Sequence, residues 1–151
     1  MSACYVAVVG PSEASTEDAA RAETVGWLLG EAGAIVVCGG LGGVMEAAAR
    51  GAAGAGATVV GLLPGSDRAE ANPHLTVVIA TGMGEMRNAL IVRAADVLVA
   101  VGGAYGTLSE IAFALRTGVP VVGIGTWALD DVVDAPDAAA AVALALELGA
   151  L

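Results

Sequence analysis

Hydrophobic and polar positions alternate along this chain in two rhythms. Short runs of Val, Ile and Leu are separated by longer, Ala-rich stretches whose apolar residues recur at helical spacing. The short runs predict strands at Tyr5–Val9, Ile35–Cys38, Thr58–Leu62, Thr76–Ile79, Val97–Val101 and Val119–Ile124. The longer stretches predict helices near Glu17–Ala32, Val44–Ala53, Met86–Ala95 and Leu108–Thr117, with a last one near Asp137–Leu148. Strands that read as unbroken apolar runs are covered on both faces. The pattern therefore predicts an α/β fold: a three-layer, Rossmann-like, doubly wound and mainly parallel sheet flanked by helices. Ser15 followed by Asp18 marks the start of the first helix, and Asp134 with Pro136 the approach to the last. Gly33, Gly54, Gly118 and Gly149 fall where helices should stop. The longer loop, Pro64–Pro73, is a candidate flap. No repeat, linker or low-complexity segment interrupts residues 1–151, so a single domain is expected.

Four of the predicted strand-to-helix junctions are rich in glycine. They are Gly10-Pro11-Ser12, Gly39-Gly40-Leu41-Gly42-Gly43, the stretch from Thr81 to Asn88, and Gly102-Gly103-Ala104-Tyr105-Gly106-Thr107. All follow the carboxyl ends of predicted strands, where open α/β sheets bind ligands. Glycine turns expose backbone N–H groups and the next helix adds the positive end of its dipole, so an anion such as a phosphate is favoured there. Neither a G-x-G-x-x-G after the first strand nor a Gly-Lys-Ser/Thr loop is present, which disfavours an ordinary NAD enzyme or P-loop NTPase.

Composition narrows the classes further. With 57% hydrophobic residues the 151-residue chain can fill one core, and with one Phe, two Tyr and two Trp that core must be made of small aliphatic side chains. Apolar stretches are broken by Gly, Pro or charge before they reach membrane-spanning length, so no membrane is expected as a partner. Met1 to Val9 lacks a basic start and a cleavage site, and Cys4 and Cys38 sit in apolar runs, so a cytoplasmic location is expected. A net charge of −10 with six Lys and Arg disfavours nucleic acid. His74 is the one histidine, which leaves no spacing for a zinc site and no expected metal.

Individual residues carry different weights. Arg87 opens a predicted helix, where a cation opposes the dipole, so its placement points to an anionic ligand or a carboxylate partner. Glu110 follows Thr107 by three residues and reads as half of a capping box at the start of the fourth predicted helix. Tyr105 stacks on a flat ring or merely packs, and Asn88 bonds a ligand or caps locally. Glu46 complements a helix dipole, His74 belongs to a loop, and Met83 and Met86 are packing groups. Trp127 covers a sheet edge or lies at a subunit contact.

The run from Ala94 through Gly102-Gly103-Ala104-Tyr105-Gly106-Thr107-Leu108-Ser109-Glu110, with Arg87-Asn88 and Gly39-Gly40-Leu41-Gly42-Gly43-Val44-Met45-Glu46 upstream, resembles the LOG-like Rossmann superfamily. That superfamily contains the "lonely guy" cytokinin-activating phosphoribohydrolases, once misnamed lysine decarboxylases, and the molybdenum cofactor carrier proteins. The resemblance extends from the first strand to about Gly125. It implies a nucleotide-sized pocket at the strand ends and a homodimer or higher homo-oligomer. Gly103, Gly106 and Thr107 would hold a phosphate, with Gly10, Ser12, Gly39, Gly40, Gly42, Gly43, Met45, Asn88, Gly102 and Tyr105 completing the site. In the hydrolase branch Arg87 and Glu110 would act at the glycosidic bond. Gly102 stands at the signature's proline, Ala104 at one of its glycines, Asn88 where hydrolases usually have lysine, and Ser109 at a second acidic position. These differences place the chain nearer the carrier-like branch. The expected function is therefore binding of a small phosphorylated ligand, either a nucleoside monophosphate or the molybdenum cofactor, with no cofactor required otherwise. The alternative is a nucleoside 5′-monophosphate phosphoribohydrolase. A regulatory subunit with a vestigial pocket is the third reading.

Overall fold

The Val, Ile and Leu runs at the centre of the chain's sheet bury both of their faces, while the edge run Val77–Ala80 leaves Val77 and Ile79 exposed on one face, in the computed structural model, which describes residues 2–151. Seven strands form one parallel sheet: β1 (Tyr5–Val9), β2 (Ile35–Cys38), β3 (Val59–Leu63), β4 (Val77–Ala80), β5 (Val97–Val101), β6 (Val121–Ile124) and β7 (Val133–Asp134). Five helices connect them: α1 (Thr16–Glu31), α2 (Val44–Gly54), α3 (Arg87–Arg93), α4 (Tyr105–Thr117) and α5 (Ala138–Gly149). The strand order is β4-β3-β2-β1-β5-β6-β7. The chain winds outward from β1 to one edge, returns to the other side of β1, and winds outward again, so the sheet is a doubly wound, three-layer α/β structure with its switch point between β1 and β5.

Alternate residues of each strand feed two cores. Val6 and Val8 of β1, with Val36, Cys38, Val97 and Val99, pack under α1, α2 and α5. Ala7 and Val9, with Val37, Leu98 and Ala100, pack under Ile91 and Val92 of α3 and Ile111 and Ala114 of α4. Helices α1 and α2 pack backbone to backbone: a methyl added at Gly51 would run into the Glu23 carbonyl, and one at Gly26 into that of Ala48. Small residues at this contact let the two helices pack closely on one face of the sheet.

Several expectations change at the element ends. β7 is absent from the sequence reading, because two residues carry no periodicity; its pairing with β6 (Val122↔Val133) comes from the fold. Thr76, expected inside a strand, instead accepts the Val59 N–H through Oγ1 at 2.9 Å. Ser15 caps α1 by accepting the Asp18 N–H, and Gly118 ends α4 in the left-handed conformation. Gly54 and Gly149 are the last residues of their helices and have no positive φ, while the last helix is capped by Asp137, not by Asp134. The Pro64–Pro73 loop is tied down, since the Asn72 N–H donates to the Gly40 carbonyl and its side-chain amide to that of Leu41. Among the described residues no helix is long and apolar enough to cross a membrane.

Candidate functional site

At the carboxyl ends of the central strands lies a cleft of about 380 Å³, within the range of small-molecule sites. All four glycine-rich junctions reach it. Gly10 and Ser12 come from the first, Gly39 from the second, Arg87 and Asn88 from the third, and Gly106 and Thr107 from the fourth; Met45 and Glu110 complete the predicted set on its walls. Two of these glycines are crowded where a side chain would start, Gly10 by backbone and Gly39 by the ends of the Met45 and Arg87 side chains. A methyl at Gly10 would strike the Val101 carbonyl and Val44, and one at Gly39 would lie 2.7 Å from Nη2 of Arg87.

The third junction enters through a short 3-10 turn, Gly84–Met86, which brings Arg87 to the first position of α3. Its side chain is buried, with only 8% exposure. Nε donates to the Leu62 carbonyl at 2.8 Å, Nη2 to the Gly39 carbonyl at 3.3 Å, and Nη1 to Oδ1 of Asn88. Three of the five guanidinium N–H donors are thus engaged with the protein. Burial lowers the pKa of Arg87, and the Glu110 charge opposes that shift.

Helix α4 starts at Tyr105, three residues earlier than the sequence indicates, and this overturns the capping-box reading of Thr107 and Glu110. Ala104 is the N-cap and no side chain caps the helix. Thr107 sits in the first turn, 2% exposed, and its Oγ1 has no hydrogen-bond partner. A buried hydroxyl without a partner is costly, and here it stands among the free amides of a helix start. Glu110 lies one turn further in, 7% exposed, and burial raises its pKa to about 7 although Arg87 pulls it down. At neutral pH this carboxyl is poised between donor and acceptor.

Other predicted residues lie elsewhere. Gly40, Gly42 and Gly43 form the turn behind the wall, with Gly43 against the Pro11-Ser12 backbone, and Gly102 faces the Asp18 carboxylate. Gly103 lies under the Trp127 indole, and Tyr105 is 84% exposed outside the cleft. Conversely, Val8, Val9, Pro11 and Leu41 line the cleft without having been singled out, as do Pro64, Glu85, Ile91 and Ala104. Pro11, Leu41, Glu85 and Ala104 fall inside the glycine-rich junctions and were within reach of the sequence. Val8, Val9 and Ile91 read as core, and nothing in a sequence separates an apolar wall from an apolar interior. Among the described residues no group of His, Cys, Asp and Glu is arranged to hold a metal ion.

Residues 3–147 match the profile of the SLOG cluster4 family. The chain belongs to this family. An uncharacterised protein of Archaeoglobus fulgidus is 44% identical over 124 residues, which cover 82% of each chain. The molybdenum cofactor binding protein of the phototrophic bacterium Rippkaea orientalis superposes with a TM-score of 0.93 at 30% identity, over 98% of each chain. The molybdenum cofactor carrier protein of Chlamydomonas reinhardtii does so with a TM-score of 0.91 at 34% identity, over 99% of this chain and all of that one. As a member of SLOG cluster4 the chain is thus similar, over nearly its whole length, to proteins of the carrier branch that its Gly102–Glu110 run resembles.

Proposed function

We propose that this protein binds and carries a small phosphorylated ring compound, the pterin monophosphate of the molybdenum cofactor, with the phosphate at the start of α4. The observation that carries this reading is the buried, unpartnered Thr107 hydroxyl among the uncapped amides of that helix, inside the same cleft as Arg87. Hydroxyl, amides and guanidinium are the donor set that a phosphate takes up, and the cleft volume suits one ring system with its phosphate. The similarity to carrier proteins at 30% and 34% identity supports a pterin over other rings. Gly10, Ser12, Gly39, Met45, Asn88 and Gly106 then form the walls around the ring and phosphate. Mass spectrometry of the compound that copurifies with the protein, followed by calorimetry with that compound, AMP and a pterin phosphate, tests the reading. Binding in the micromolar range or tighter is expected, and no heat from any of them with ligand-free protein refutes it.

One observation favours a second reading. Glu110, with its pKa near 7 beside Arg87, has the properties of a general acid-base group at a glycosidic bond. Under this reading Glu110 activates water and Arg87 positions a nucleoside 5′-monophosphate. Incubation with AMP and N6-substituted AMPs would release free base, and Glu110→Gln would abolish release while keeping binding. Intact substrate after prolonged incubation rules it out. For assembly, Met86 and Leu90 leave apolar surface exposed on one side of α3, 72% and 38%, which supports a homo-oligomer contact there. Light scattering of the wild type and of Leu90→Glu checks it, a fall in mass being expected.

A further inference from the structure

A second hollow of about 310 Å³ lies beyond β6, lined by Thr126, Trp127, Leu129, Asp130, Val132 and Asp134. Trp127 joins it to the first cleft: its indole N–H donates to the carbonyl of Ala104 at 3.1 Å, and Ala104 lines the first cleft. The indole is held in place from below as well, because a methyl at Gly103 would lie 3.1 Å from its Nε1. Against Trp127 stacks Tyr105, with ring centroids 6.0 Å apart and planes inclined by 26°. Tyr105 is 84% exposed, flanked in sequence by Ala104 and Gly106, both on the first cleft's wall. A fixed indole carrying a largely exposed phenol ring beside the turn that opens α4 offers a flat stacking surface to a ligand. The hollow beside it has a different chemistry from the cleft. Its polar groups are the Asp130 and Asp134 carboxylates, which accept hydrogen bonds from hydroxyls and repel phosphate, and a buried Thr126 Oγ1 without a partner.

From this arrangement we infer that the protein accepts an elongated ligand: a phosphorylated ring in the first cleft, joined through a pyrophosphate over the Ala104–Thr107 turn to a nucleoside at the Tyr105–Trp127 surface. The nucleobase stacks on the aromatic pair, and its ribose hydroxyls meet Asp130 and Asp134. Carboxylates recognise ribose diols in this way in dinucleotide-binding folds, and base stacking on an aromatic side chain tolerates any base. The ligand class is thus a dinucleotide-type compound, two ring systems linked by P–O–P. The inference rests on the phosphate-binding reading above.

The test compares AMP, ADP and diadenosine pyrophosphate by calorimetry, with Trp127 fluorescence recorded in a Trp27→Phe background, where it is the one remaining tryptophan. Diadenosine pyrophosphate is expected to bind about tenfold more tightly than ADP and to quench Trp127 where ADP does not. Tyr105→Ala, at a position 84% exposed, should reduce that ratio to about one, while Tyr105→Phe keeps it. Equal affinity for ADP and diadenosine pyrophosphate, with AMP still bound, overturns this inference alone. A preference that survives Tyr105→Ala also overturns it, and so does a fall in oligomer mass with Tyr105→Ala, since the aromatic pair would then serve a contact between copies. Failure of all three compounds to bind overturns both this inference and AMP as a ligand of the first cleft.

Discussion

Glu110 offers the most direct quantitative test of how the cleft is built. Its carboxyl is buried in the second turn of α4, and burial raises its pKa from 4.5 to about 7 against the opposing pull of Arg87. The native state therefore holds this proton more tightly than the unfolded chain does. A group of this kind contributes stability that is fully present below pH 4.5 and is lost as pH rises through 7. Between pH 5 and 7.5 the loss from this one site is about 2 kcal/mol. Glu110→Gln keeps the shape and removes the titration. Urea unfolding of both proteins at half-unit steps from pH 5 to pH 8.5 separates this contribution from the other acidic residues, which the two proteins share. The wild type should lose stability relative to the variant by about 2 kcal/mol across that window, most of it below pH 7. Parallel curves would mean that Glu110 ionises normally and that the cleft is wetter than its burial indicates. The acid-base reading of Glu110 would fall with them.

Three further outcomes are expected. Thr107→Val, which removes a buried unpartnered hydroxyl at nearly constant volume, should leave the ligand-free protein as stable or stabilise it by about 1 kcal/mol, while weakening phosphate-ligand affinity roughly tenfold; paired thermal melts and calorimetry read both effects. Arg87→Lys cannot reproduce the fork of bonds to Leu62, Gly39 and Asn88, and should cost about 2–3 kcal/mol in denaturant unfolding along with most of the ligand affinity. Gly51→Ala drives a methyl into the Glu23 carbonyl at the α1–α2 contact and should destabilise by about 3 kcal/mol or more, read as a lowered urea midpoint with an unchanged slope.

The division between sequence and tertiary structure follows from the range of the forces involved. Strand and helix identities were legible because unbroken Val/Ile/Leu runs and Ala-rich helical spacing are local signals, and the glycine turns because close backbone approach excludes a side chain. The glycine turns put Gly10 and Gly39 in view as candidate site residues, the unfavourable cation at a helix start did so for Arg87, and the resemblance to the LOG-like superfamily for Thr107. What they left open was decided by contacts between segments far apart in the chain. β7 exists because β6 offers it an edge, and α4 begins at Tyr105, after Ala104, with no capping side chain to mark the start. That three-residue difference turns Thr107 from a cap into a buried hydroxyl without a partner, and Glu110 from a capping group into a carboxyl titrating near pH 7. Likewise Trp127, 22 residues beyond Tyr105 in the chain, becomes its stacking partner only once β6 is laid beside β5. Local sequence sets which residues favour a turn or a helix; burial, and with it ionisation and unmet hydrogen bonding, is a property of everything packed around them.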